Sequence, residues 1–220
     1  MRRPFAVRAT WVGVAALLVA VDVTAGVALG HWLDPTHAAS DRDGEPAPLV
    51  AGWSPRVVPS FVAVDQDDRT FTDSDLLGHV WIVDFIFTRC LSACPLLTTR
   101  MLALQRRLSS TDVQFASISV DPTYDRPEIL KAYADRWRGD QHRWRLLTTD
   151  VATSRRLASG FAEADDSADD FSHSDRFTLV DATGQLRGSF GSTERSEQER
   201  LIEAATRMIG ARTALAGRGR

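Results

Sequence analysis

Val80-Trp81-Ile82-Val83-Asp84-Phe85-Ile86-Phe87-Thr88-Arg89-Cys90-Leu91-Ser92-Ala93-Cys94-Pro95 is the stretch on which the fold turns. Its first half, Val80–Phe87, is a β-branched and aromatic run suited to a strand covered on both faces. Its second half carries the chain's 2 cysteines. Pro95 follows, a residue that a helix tolerates in its first turn. Leu97, Met101, Leu104 and Leu108 then recur at helical spacing and share one face. The stretch therefore reads as a buried strand that gives way to a helix, with the reactive side chains at the junction.

Working outward, Phe61–Val64 and Arg69–Phe71 flank Asp65-Gln66-Asp67-Asp68, a hairpin pattern. Val113–Val120 is the next strand, closed by Asp121-Pro122. Pro127 opens a helix through Trp137 whose apolar face uses Ile129, Leu130, Tyr133 and Trp137. Trp144–Leu147 is a short strand, and Val151–Ser159 a helix. Arg176–Val180 and Gln185–Phe190 are strands joined by the turn Asp181-Ala182-Thr183-Gly184, and a last helix runs from Ser196 to Ile209. Strands alternating with helices imply an α/β fold, a central mixed sheet flanked by helices in thioredoxin-like order.

The flanks read differently. Arg2, Arg3 and Arg8 in a basic segment 1–8 precede an apolar stretch 9–33, long enough to span a bilayer as a helix. The arginines stay cytoplasmic, so the expectation is a transmembrane anchor with the following domain on the extracytoplasmic side, periplasmic or outer face. Asp22 is costly at mid-bilayer, and Ala28 and Gly30 have the spacing of a signal-peptidase site, so a cleaved signal segment is the competing reading. Residues 34–56 are rich in Pro, Asp, Ser, Gly and Ala and read as a flexible tether. The folded domain is 57–211, and 212–220, with three arginines and two glycines, reads as a disordered tail. A net charge of −3 over 220 residues gives no field for nucleic acid.

Backbone N–H groups and the dipole at a helix start favour thiolate over thiol, which makes Cys90 and Cys94 better ligands and nucleophiles. Three residues separate them, so both sulfurs can face one ion or form a disulfide. A purely structural disulfide is a common outcome in an oxidising compartment, but a loop this short stabilises little. Soft thiolates select Cu(I), zinc or iron–sulfur centres, and two are too few for a closed structural zinc site. Among the five histidines, His31 and His37 lie in the tether, and His79 and His142 at strand starts or in a charged turn. His173 stands in the loop before Arg176–Val180, which a thioredoxin-like fold brings beside the cysteine junction. A lone loop histidine is more often not a ligand.

Phe85–Pro95 resembles the signature of the Sco/SenC family, a strand that ends in an aromatic residue and Thr-x-Cys-x-x-x-Cys-Pro, matched by Phe87, Thr88, Cys90, Cys94 and Pro95. Ser119–Pro127 resembles that family's Val-Asp-Pro-x-x-Asp-x-Pro segment. His173-Ser174, with Phe177–Asp181 and Gly184, resembles its ligand-histidine loop. The agreement in order runs over Pro59–Ile209. The resemblance implies a copper metallochaperone that binds Cu(I) and Cu(II) through Cys90, Cys94 and His173 and assists assembly of the copper centre of cytochrome c oxidase. Its partner is then the copper-bearing oxidase subunit or another copper enzyme, with a thiol reductant protein as a further partner. Arg89 and Leu91 depart from the acidic or proline residues frequent in that family around the first cysteine.

Two thiolates and an imidazole suit three-coordinate Cu(I) and can hold Cu(II). The acidic residues Glu163, Asp165, Asp166, Asp169, Asp170 and Asp175 can steer a partner, or simply solvate a loop. Asp121 and Asp125 can orient a ligand or dock a partner, or cap the helix that begins at Pro127. The rival reading is an extracytoplasmic thiol–disulfide oxidoreductase using Cys90 and Cys94 as attacking and resolving sulfurs. Thioredoxin-type oxidoreductases resemble one another in Cys-x-x-Cys and a facing cis-proline, and this chain has neither that spacing nor a proline after Pro127.

Overall fold

The computed structural model describes Trp53 and residues 56–162 and 175–218, all within the unit Pro48–Arg220. The expected segments 1–8 and 9–33, most of the tether, and His173 lie outside the described residues. No helix among the described residues is long and apolar enough to cross a membrane.

Strand β4 (Trp81–Ile86) is buried at all six positions, Asp84 included, as a strand covered on both faces must be. It pairs in parallel with β5 (Gln114–Ser119), which pairs in parallel with β6 (Trp144–Thr148). The antiparallel pair β7 (Arg176–Val180) and β8 (Gln185–Gly191) extends the sheet beyond β4. The hairpin β2 (Val62–Asp65) and β3 (Thr70–Thr72) extends it beyond β6, and β1 (Arg56–Val57) closes the other edge on β8. The order is β1-β8-β7-β4-β5-β6-β2-β3: the sheet is mixed, as expected, and β1 brings it to eight strands.

Helices α1 (Ala93–Arg107), α2 (Pro127–Trp137), α3 (Val151–Phe161) and α4 (Arg195–Arg218) complete the fold. Side chains alternate along a strand, and here the alternation separates two cores. Ile82 and Ile86 of β4 pack with Leu97, Met101, Leu130, Trp144, Phe177 and Leu201, on the face that carries α1, α2 and α4. Trp81, Val83 and Phe85 pack with Ile118, Leu157, Phe161, Phe71 and Leu186, on the face that carries α3 and the hairpin.

Three boundaries differ from the sequence reading. Helix α1 begins at Ala93, so Cys94 lies inside its first turn rather than ahead of it. The domain begins before Val57: Arg56 already pairs with Leu186, and the Trp53 indole N–H donates to the Leu186 carbonyl at 2.9 Å. Composition hid this, because Trp53 and Arg56 stand in a stretch whose residue types are those of a linker. Helix α4 continues to Arg218, through the expected tail, because Ala211 to Ala216 are mostly good helix formers.

Candidate functional site at the end of strand four

Beyond Ile86 the chain leaves the sheet at Phe87, and the Cys90 N–H donates to the Phe87 carbonyl at 3.1 Å, folding the segment into a tight turn. The turn is fastened from beneath by Asp125, which is 0% exposed. Its carboxylate accepts from the Thr88 N–H at 3.1 Å, from the Thr88 hydroxyl, and from the Ser119 hydroxyl at 2.6 Å. Three donors on one buried carboxylate compensate its desolvation and lock the loop before Cys90 to the end of β5.

The sequence offers Asp121 and Asp125 as residues that orient a ligand, dock a partner or cap the helix at Pro127, and does not reveal this role. The N-cap of α2 is Arg126, with no side-chain cap hydrogen bond. Asp121 instead accepts from Arg89, Nε at 3.0 Å and Nη2 at 2.5 Å. The signal was available: Thr88 and Asp125 are both members of the motifs that carry the family resemblance, and neither is a metal donor there.

Helix α1 starts at Ser92 as N-cap, whose side chain caps nothing. The Cys90 sulfur takes the place of a cap, accepting the Cys94 N–H at 3.3 Å. Partial burial opposes ionisation of Cys90. The backbone N–H groups of Cys94, Ser92 and Ala93, with the Cys94 thiol, outweigh it and bring the Cys90 thiol down to about 7. Burial pushes the Cys94 thiol up to about 12, and the neighbouring Cys90 and Asp84 charges add to the rise. The two thiols are free, one half-exposed and one buried at 5% exposure. The arrangement is a surface sulfur ready to ligate or attack, with a second sulfur held behind it.

Below the junction lies Asp84, on the β4 face shared with Ile82 and Ile86. Neither of its carboxylate oxygens has a hydrogen-bond partner among the described residues. Burial raises it to about 7. Ser117, opposite it on β5, offsets that rise only in part, and its hydroxyl accepts the Trp144 indole N–H at 2.9 Å. Sequence reading passed over Asp84 because one acidic residue in an apolar strand leaves the strand pattern intact.

Among the described residues, no three His, Cys, Asp or Glu side chains gather to hold a metal, so the described donors are the two sulfurs alone. His79 and His142 precede β4 and β6, whereas Cys90 follows β4. They therefore sit at the other end of the parallel strands, roughly 20 Å away for a six-residue strand. His173 and the acidic residues Glu163 to Asp170 are outside the described residues. Asp175, within them, has its carbonyl tied to the Ser192 N–H at 2.7 Å.

Comparison with known proteins converges on one group. The SCO1 protein homolog of Bacillus subtilis (strain 168) is 29% identical over 152 residues, covering 66% of this chain and 79% of its own. A SCO1/SenC family lipoprotein from Bacillus anthracis superposes with a TM-score of 0.62 at 32% identity, over 69% of this chain and 94% of that one. Yeast Sco1, solved with copper bound, shares the fold with a TM-score of 0.59 at 23% identity, over 72% of this chain and 95% of its own. A family model described as SCO1/SenC matches residues 52–210, which take in the clasped loop, both cysteines and the whole described sheet, and the chain belongs to that family.

Proposed function

We propose that this protein is a copper metallochaperone that binds Cu(I) and Cu(II) through Cys90, Cys94 and His173 and delivers the ion to the copper centre of cytochrome c oxidase or of another copper enzyme. The donor chemistry fits: two sulfurs at a helix start, one of them a thiolate near neutral pH, are soft ligands suited to Cu(I).

One observation carries the third ligand. Asp175, two residues beyond His173, is bonded through its carbonyl to Ser192, whose hydroxyl accepts from Arg100 Nη1 at 3.1 Å. Arg100 lies six residues beyond Cys94 on α1, a rise of about 9 Å. The chain that leads back to His173 is thus moored to the helix that bears Cys94, and two residues reach about 7 Å. This supports His173 as the ligand over His79 and His142, which belong to the opposite end of the sheet.

A three-donor site whose outer sulfur, Cys90, is within reach of solvent would release its cargo readily to an incoming thiolate. Residues 9–33 are read as the anchor that holds the domain at the membrane on the extracytoplasmic side, where a thiol reductant protein keeps the pair reduced. Titration of the reduced chain with Cu(I) and then Cu(II) under argon tests the reading. One copper per chain is expected, with binding lost in Cys94→Ser and His173→Ala. Normal binding by His173→Ala overturns it.

The unequal thiols favour a second reading, thiol–disulfide exchange on target cysteines, with Cys90 attacking and Cys94 resolving. Catalytic reduction of insulin by the copper-free chain, abolished in Cys94→Ser, supports it.

A further inference from the structure

Cys90 is flanked by two side chains that contribute nothing to either core. Leu91 is 96% exposed. Arg89 lies with its guanidinium 4.5 Å over the Tyr124 ring. Its Nε–H and Nη2–H converge on a single oxygen of Asp121. An arginine carries five N–H bonds, so three of them have no acceptor among the described residues. The side chain of Arg89 is 58% exposed and that of Asp121 only 22%, so the pair turns its cation to the solvent and its anion to the protein. The stack on Tyr124 holds the guanidinium plane in place, which lowers the entropy lost when a second planar group joins its free edge.

We propose that Arg89 and Leu91 form a two-point docking fork astride Cys90, selecting a partner segment whose cysteine has a carboxylate on one side and an apolar side chain on the other. The inference rests on the reading of Cys90 as the sulfur that meets the partner, which its exposure against the burial of Cys94 supports. A carboxylate matches the free edge of a held guanidinium with two parallel hydrogen bonds, something a lysine or an amide in the partner cannot do. Leu91, which follows Cys90 in the chain and is exposed, adds apolar contact where the partner's covering residue removes it from water.

The test uses the full chain carrying Cys94→Ser and three synthetic peptides, Glu-Leu-Cys-Leu-Glu, Lys-Leu-Cys-Leu-Lys and Glu-Ser-Cys-Ser-Glu, each as its mixed disulfide with thionitrobenzoate. The Cys90 thiolate attacks the peptide sulfur. The Cys90–peptide disulfide forms, the old S–S bond breaks, and the yellow thionitrobenzoate anion leaves with the electron pair. Ratios between peptides, taken within one protein, cancel the intrinsic reactivity of the thiol.

The acidic peptide is expected to react faster than the basic one, by about tenfold at low salt, a ratio that falls about fivefold in Arg89→Gln and less in Arg89→Lys. The leucine-to-serine ratio is expected to fall about threefold in Leu91→Ser and to hold in Arg89→Gln. Ratios unmoved by these substitutions, or a faster basic peptide drawn by the acidic run 163–175, overturn the proposal. Copper titration of the unmodified chain is scored separately. Its failure sinks the metallochaperone reading and leaves the peptide ratios to decide the fork.

Discussion

Asp125 and Asp84 are both shut away from water, at 0% and 1% exposure, yet the regions around them are built on opposite terms. At the loop junction, Asp125 gathers two donors from Thr88 and one from Ser119, and the Ser119 hydroxyl in turn accepts the Asp121 N–H at 3.0 Å. At the centre of the sheet, neither Asp84 oxygen has a hydrogen-bond partner among the described residues, and burial lifts it to about 7. The first carboxylate stabilises the geometry on which the site depends. The second costs stability and borders the core that contains Cys94. A buried charge is thus no guide to its contribution until its donors are counted.

The comparison is broken most severely by Asp125→Ala. It leaves the Thr88 N–H, the Thr88 hydroxyl and the Ser119 hydroxyl without their acceptor, and urea denaturation is expected to show a loss of about 3–5 kcal/mol. Release of the loop should also weaken copper binding, read by competition with a Cu(I) chelator.

Asp84 sharpens the contrast from the other side. Its folded pKa of about 7 lies above the ordinary carboxylate value of 3.8. Folding therefore binds a proton between those values, and the stability this group allows is fully present below about 4 and lost as pH rises through 7. The linked loss approaches roughly 4 kcal/mol as an upper bound. Asp84→Asn should flatten that part of the pH profile and raise stability at pH 8 by about 2 kcal/mol, measured by urea titration at pH 5 and pH 8. An unchanged slope in the variant assigns the effect to other groups.

Thr88→Val separates the side chain from the backbone contribution at Asp125. It removes the hydroxyl donor and keeps the N–H, so a loss of about 1–2 kcal/mol is expected in thermal or urea unfolding. The smallest effect is chemical. In Cys94→Ser, the iodoacetamide alkylation rate of Cys90 should rise with pH around a midpoint near 7, where the thiolate forms. A midpoint near 9 contradicts the sulfur's place at the head of the helix.

Much of this architecture was legible in the residues. The run Val80–Phe87 reads as a covered strand, although no sequence pattern tells whether a donor meets Asp84 there. Strands β4 to β8 and helices α1 to α3 fall close to their expected limits because local periodicity and proline placement set them. The edge pairing of Arg56 and the continuation of α4 are not legible in the sequence, since both depend on segments whose composition resembles a linker.

The chemical identity of the site, two thiols at a strand-to-helix junction, follows from the order of residues along the chain. Their inequality does not. That Cys90 stays in reach of solvent while Cys94 sinks into the core is decided by how α1 lies on the sheet, and the bond between Thr88 and Asp125 spans 37 positions of sequence. Periodicity registers neighbours a few residues apart. A carboxylate with three donors and one with none carry the same letter, and only the packed chain brings, or withholds, the groups that distinguish them.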